Sequence, residues 1–213
     1  MAARDYGQYC GVTRGLELVG ERWALLIVRD LLVGPRRYGE LAAGLPRIPS
    51  NVLAARLKEL QDAGVVRRAP RSRVIVYELT PYGRELEPVV HALGAWGFKA
   101  LGDPRDGQVI TPDAMTVALR TAFRPEVAAD LPPTAYAAHL GEAELLVQVD
   151  GSALDVARGD GPADLAFAAG PGIRRLISGE LDPERAIGTG VVEVLRGPAL
   201  LLDRFARTFH LAA

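Results

Sequence analysis

Residues 50 to 79 constrain the fold of this chain most tightly, because an apolar-periodic helix is followed at once by two short strands studded with arginine. In Ser50 to Asp62, the side chains of Leu53, Leu57 and Leu60 fall on one stripe at about 100° per residue, so that stripe is expected to be buried. Ser50, placed after the extended Ile48-Pro49, is the expected cap for the free amides of the first turn. Asn51, Ala55, Lys58 and Asp62 point the opposite way, with Ala54 beside them and Arg56 nearer the core. Taken alone, such a face also suits an ordinary solvated helix.

The residues after Gly64 narrow the choice. Val65-Val66-Arg67-Arg68 forms an expected strand, Ala69 to Arg73 a turn, and Val74 to Leu79 the return strand. Arg71 and Arg73 lie near the tip, whereas Arg67 and Arg68 must point to opposite faces. Thr80-Pro81 opens a further helix with a hydroxyl cap and proline at its first position. Upstream, Gly20 to Leu32 is the expected supporting helix, sending Trp23, Leu26, Ile27, Val28, Leu31 and Leu32 into the core. A short element over Tyr38 to Ala43 lies between the Gly34-Pro35 break and the Gly44-Leu45-Pro46 turn.

Two helices joined by such a turn and followed by a basic hairpin describe a winged helix-turn-helix, which offers one helix to a DNA groove and the hairpin to the backbone. On that expectation Asn51 suits an adenine edge and Lys58 a guanine or phosphate, while Ala54 and Ala55 permit close approach or contact with thymine methyls. Arg36 and Arg37 are placed for a phosphate, with solvated surface arginine the plain alternative for either alone, and Arg71 and Arg73 are placed for backbone or minor-groove contact. The candidate DNA contacts are Arg37, Ser50, Asn51, Ala54, Lys58, Arg71 and Arg73.

Several ordered stretches then point to a family. Tyr9-Cys10, Leu16 to Ile27, Gly34 to Leu41, Ile48 to Leu53, Arg56 to Leu60, Gly64 to Arg68 and Tyr77 to Gly83 resemble the HxlR-type winged-helix regulators over roughly residues 5 to 99. The resemblance implies a homodimeric transcriptional regulator, more often a repressor, with the helix from Ser50 in the major groove and the Arg71-bearing wing on the flanking duplex. It also implies a redox-sensitive cysteine at the position of Cys10. Arg14, one turn away, would favour thiolate there; a buried inert thiol is the alternative.

Charge separates the two halves. Residues 1 to 105 carry 16 Lys or Arg against 11 Asp or Glu, net plus 5; residues 106 to 213 carry 9 against 15, net minus 6. This asymmetry favours nucleic-acid contact by the first half and opposes it in the second. Gly102, Asp103, Pro104, Asp106 and Gly107 mark Leu101 to Thr111 as the joint between a domain over 5–100 and another over 111–213. On the helix after Thr80-Pro81, Leu86, Val89, Val90, Leu93 and Trp96 form an apolar side suited to pairing two copies or to packing on the second domain.

The second half opens with a helix over Asp113 to Phe123. Short segments at Tyr136 to Leu140, Glu144 to Val149, Ala153 to Ala157 and Leu165 to Phe167 then suggest a small antiparallel sheet. A short apolar face at Ile173, Leu176 and Ile177, a turn at Pro183, a strand at Val191 to Leu195 and a closing helix with Leu200, Leu201, Phe205 and Phe209 complete an α+β fold. Ala163 to Phe167, Leu176 to Ala186, Gly190 to Val194 and Gly197 resemble a sterol-carrier-like domain, whose sheet and helices surround an apolar tunnel. That resemblance implies a small apolar effector. Leu176, Ile177, Phe205 and Phe209 are its candidate contacts, and the same four would otherwise fill a core.

Other classes find little support. His91, His139 and His210 lack ligand spacing, the single cysteine forbids an internal disulfide, and no phosphate loop is present, so neither enzyme, metal nor cofactor is expected. No apolar run reaches the roughly 18 residues of a membrane span, and without a secretory leader a cytoplasmic location is expected. The expected partners are double-stranded operator DNA, a second copy of the chain and an apolar effector. A lipid carrier with an incidental winged helix is the different-class alternative.

Overall fold

The computed structural model describes residues 5–212. The chain divides into two compact units, Met1–Val90 and His91–Ala213.

The first unit begins with α1 (Gly11–Val19), α2 (Ala24–Val33), α3 (Tyr38–Gly44) and α4 (Ser50–Asp62). A hairpin of β1 (Val66–Arg71) and β2 (Val74–Leu79) follows, then the single turn α5 (Pro81–Arg84) and α6 (Glu87–Phe98), which continues into the second unit. Ile27, Val28 and Leu31 of α2 and Leu53, Leu57 and Leu60 of α4 are all sealed from solvent, and the two helices are in contact. Three details depart from expectation. The supporting helix starts only at Ala24, because Trp23 takes a left-handed φ of 83° at its N-cap. Trp23 is consequently half-buried and Leu26 exposed, neither belonging to the core. Ser50 is the first helical residue rather than the cap: Pro49, extended at φ −64° and ψ 142°, occupies the cap position without a side-chain bond.

The wing also differs. β1 runs through Ala69-Pro70 to Arg71, leaving Ser72-Arg73 as a two-residue turn with Ser72 at φ 56°. Pro70, opposite Ile75, is tolerated because a two-stranded ribbon consists of edge strands. Arg36 adds one further rung, exchanging backbone bonds with Tyr77 at 2.9 and 2.7 Å. At the wing's root, the Thr80 hydroxyl accepts the Gly83 amide at 3.0 Å, the cap expected from Thr80-Pro81.

The second unit contains α7 (Pro112–Ala122), α8 (Pro125–Ala128), β3 (Thr134–Leu140), β4 (Ala143–Asp150), β5 (Ala153–Arg158) and β6 (Leu165–Ala169). It ends with α9 (Ile173–Ile177), α10 (Pro183–Gly188), β7 (Val192–Arg196) and α11 (Leu201–Thr208). The five strands lie in the order β5-β4-β3-β6-β7, antiparallel except for the parallel pair β3/β6. The sheet is therefore mixed, not wholly antiparallel, because the chain crosses from β5 past β4 and β3 to reach the far side of β3. The expected turn at Pro183 is a helix, started by Asp182 accepting the Arg185 amide at 2.8 Å. Gly197, at φ 92°, lies so close to the Asp164 carbonyl that a side chain there would collide with it.

Candidate nucleic-acid interface

The recognition-helix candidate, α4, is fixed from three sides. Its buried stripe, Leu53, Leu57 and Leu60, is at most 1% exposed. The Tyr38 hydroxyl donates to the Ser50 carbonyl at 2.8 Å, joining the start of α3 to the first turn of α4. Arg56 pairs with Glu21 at 3.3 Å, in the connection between α1 and α2, and with Glu59 one turn away. The opposite stripe, Ser50, Asn51, Ala54, Lys58 and Asp62, is exposed, and Ala55 lies at its half-buried margin. Lys58 Nζ donates to Asp62 at 2.7 Å, and this carboxylate holds the ammonium above its ordinary pKa. Such an exposed pair is weak enough to exchange for a base edge or a phosphate.

Arg37, at the N-cap of α3, is exposed; its backbone amide donates to Glu40 at 2.6 Å. On the wing, Arg73 stands exposed in the turn. Arg71 is engaged: its Nη2 donates to Glu78 Oε2 at 2.9 Å, while Arg67 donates to Oε1 of the same carboxylate at 2.8 Å. Arg71 first, then Arg67, hold the Glu78 carboxyl below the usual carboxylate range. Arg68 points to the other face, its guanidinium 5.9 Å from the Tyr77 ring centroid. Glu78 was not anticipated from sequence. A five-residue turn would place Gly64 opposite it; the two-residue turn places Arg67 there.

Cys10 is exposed at the N-cap of α1, within an open cleft of about 660 Å³ lined also by Asp5, Gln8, Tyr9, Arg14 and Glu17. The backbone amides of Thr13 and Val12, with the Thr13 hydroxyl, hold its thiol below the ordinary value. The thiol is therefore not buried. Arg14 does not supply the expected charge, since its guanidinium is paired with Glu17 at 3.0 Å.

The four candidate effector contacts come together in the second core. Leu176, Ile177, Phe205 and Phe209 are all buried. Phe205 packs against Phe209 at 4.6 Å, Phe167 at 5.1 Å and Tyr136 at 5.2 Å between ring centroids. Among the described residues, no group of three or more His, Cys, Asp or Glu side chains could hold a metal ion, and no helix is long and apolar enough to cross a membrane.

Comparison with known proteins places this geometry in a family. Residues 18–104 match the model of the HxlR-like helix-turn-helix family. The HTH-type transcriptional regulator Rv3095 of Mycobacterium tuberculosis is 44% identical over 96 residues, covering 44% of this chain and 60% of that protein. The chain thus spans about 60% of the length of the first curated relatives it matches. Two Bacillus subtilis regulators are covered more fully. YvaP is 40% identical over 86 residues, 39% of this chain and 80% of its own length; YodB is 39% identical over 82 residues, 37% and 73% respectively. The structure of reduced YodB aligns over 46% of this chain and all of its own, with 34% identity and a TM-score of 0.38. With 40% identity across four-fifths of YvaP and a family match that spans α2, the α3-α4 pair and the wing, the chain belongs to the HxlR-like helix-turn-helix family.

Proposed function

We propose that this chain is a sequence-specific DNA-binding transcriptional regulator, acting as a repressor and binding double-stranded operator DNA as a homodimer. The observation that carries this reading is the exposed Ser50, Asn51, Ala54 and Lys58 stripe on a helix whose other side is sealed into a core. It is flanked by Arg37 on α3 and by the basic wing. Asn51 and Lys58 read base edges, Ala54 allows close approach, and Ser50, Arg37, Arg71 and Arg73 meet the backbone. Names of the relatives, all helix-turn-helix regulators, support the reading.

Pairing uses α6, where Val89, Leu93 and Trp96 are 49%, 46% and 73% exposed on one side of the helix. So large an apolar display is unusual on a surface that stays in water. The domains are assigned as 5–100 for DNA binding and pairing and 111–213 for effector reception. The sterol-carrier-like assignment of the latter is supported by its helix-covered sheet and by Gly197. An apolar effector there would have to part the packing of Leu176, Ile177, Phe205 and Phe209. Exposure and the lowered thiol pKa support redox sensing at Cys10. Neither metal nor cofactor enters the scheme, which assigns no catalytic step and operates in the cytoplasm.

The test is to select duplexes from a random pool with the intact protein and titrate the recovered sequence against salt. Saturable binding, tighter than to a shuffled duplex and weakening as salt rises, is expected. Equal binding to both duplexes would defeat the proposal.

A further inference from the structure

Glu78 has 7% of its side chain exposed, yet it meets two guanidiniums whose side chains are 61% and 62% exposed. Its Oε1 takes Arg67 Nη2 at 2.7 Å and its Oε2 takes Arg71 Nη2 at 2.9 Å. The hairpin register enforces the arrangement: Arg67 stands directly opposite Glu78, and Arg71, four residues further along β1, projects from the same face. One carboxylate therefore engages both cations with one oxygen each. Among the described residues Arg73, in the turn, has no such carboxylate.

A carboxylate and a phosphate present guanidinium with the same kind of charged acceptor, so the two compete for Arg67 and Arg71. Sequence-independent DNA binding comes from phosphate contacts, and a residue that occupies two arginines withholds part of that attraction. We propose that Glu78 is a specificity-determining residue: it retains Arg67 and Arg71 until α4 is seated on matching bases, and thereby suppresses binding to unrelated DNA. This inference rests on the DNA-binding reading above. When α4 is seated, the wing is held against the duplex and phosphate can replace the carboxylate. Elsewhere the base contacts that seat α4 are missing, and nothing offsets the loss of two charge-assisted bonds.

The experiment uses the full-length protein, the duplex selected by the wild type and a shuffled duplex of the same composition. Glu78→Gln preserves shape and removes the charge. Its affinity for the shuffled duplex is expected to rise at least roughly threefold at low salt, with the logarithmic salt dependence steeper by up to about two, one for each arginine released. The selected duplex should gain less, so the ratio between the two falls. In the wild-type background Arg73→Gln should flatten the salt dependence on the shuffled duplex more than Arg71→Gln, and the two should become equal once Glu78 is glutamine. A folded Glu78→Gln protein with unchanged or weaker shuffled-duplex binding would overturn the proposal, as would equal effects of Arg71→Gln and Arg73→Gln in the wild type. If thermal melting shows Glu78→Gln unfolded, the Arg71 and Arg73 comparison decides alone. Failure of the wild type to prefer any duplex would remove the DNA-binding reading and this inference together; intact preference with the negative results above removes only the role of Glu78.

Discussion

Phe205 touches three other rings and has no solvent exposure, so its side chain does the work of a core residue whatever else the second unit binds. Phe205→Ala is expected to cost about 3–5 kcal/mol, measured by urea unfolding of the intact protein, because the rings around it cannot all collapse into the space. A loss below about 1 kcal/mol would show that the site tolerates a void, as a ligand chamber would. Cys10 presents the opposite case. Its exposed thiol accepts from the amides of Thr13 and Val12, and these bonds favour thiolate. A lowered pKa means more thiolate at neutral pH, so iodoacetamide should alkylate Cys10 faster in the native protein than in the urea-unfolded chain at the same pH. Equal or slower native alkylation would contradict that environment.

The wing shows how an element depends on its smallest details. The carboxyl of Glu78 has a native pKa lowered by Arg71 and Arg67, so the stability it contributes is complete above the unfolded carboxylate range and is lost as pH falls through the native value. Wild type should accordingly resist urea better than Glu78→Gln at pH 7, with the difference shrinking toward pH 3; a difference independent of pH would mean that packing, not charge, is responsible. At the wing's root a side chain on Gly83 would collide with the Val65 carbonyl and press on Leu79 Cδ2 at 3.2 Å. Gly83→Ala should therefore destabilise the first unit by about 1–3 kcal/mol, checked by thermal melting followed through the tryptophans.

These same elements mark what the sequence could reveal. The recognition-helix candidate was legible to its ends, Ser50 and Asp62, because three leucines at helical spacing and the prolines before it leave little choice. The cap was not, since Pro49 and Ser50 both suit the boundary. The hairpin was legible as two basic strands, but its register was hidden: Ala69-Pro70 look like turn residues, and only a ladder that tolerates proline at an edge carries β1 on to Arg71. Glu78 disappeared from view with the register. In the second unit the strand positions could be read from alternation, whereas the parallel β3/β6 pair could not, because alternation within a strand says nothing of its neighbour's direction.

At the scale of the molecule, charge and apolar surface divide the tasks. The net plus 5 of residues 1 to 105 favours the proposed DNA contact by the first half, and the net minus 6 of residues 106 to 213 opposes it in the second. The exposed Val89, Leu93 and Trp96 side of α6 supplies the proposed pairing surface. Leu93→Asp combined with Trp96→Ala should convert the intact protein from dimer to monomer at micromolar concentration in sedimentation, since a buried unpaired carboxylate opposes association; an unchanged dimer would place the interface elsewhere.

If α4 reads bases as proposed, sequence selection with the Asn51→Ala and Lys58→Ala proteins will register it. Selecting duplexes from one random pool with wild type and each folded variant should show preference relaxed at one or two positions per half-site, with discrimination there reduced by about 1–3 kcal/mol and the remaining positions retained. Identical base preferences in all three proteins would contradict the account, because the exposed stripe of α4 would then carry no sequence information.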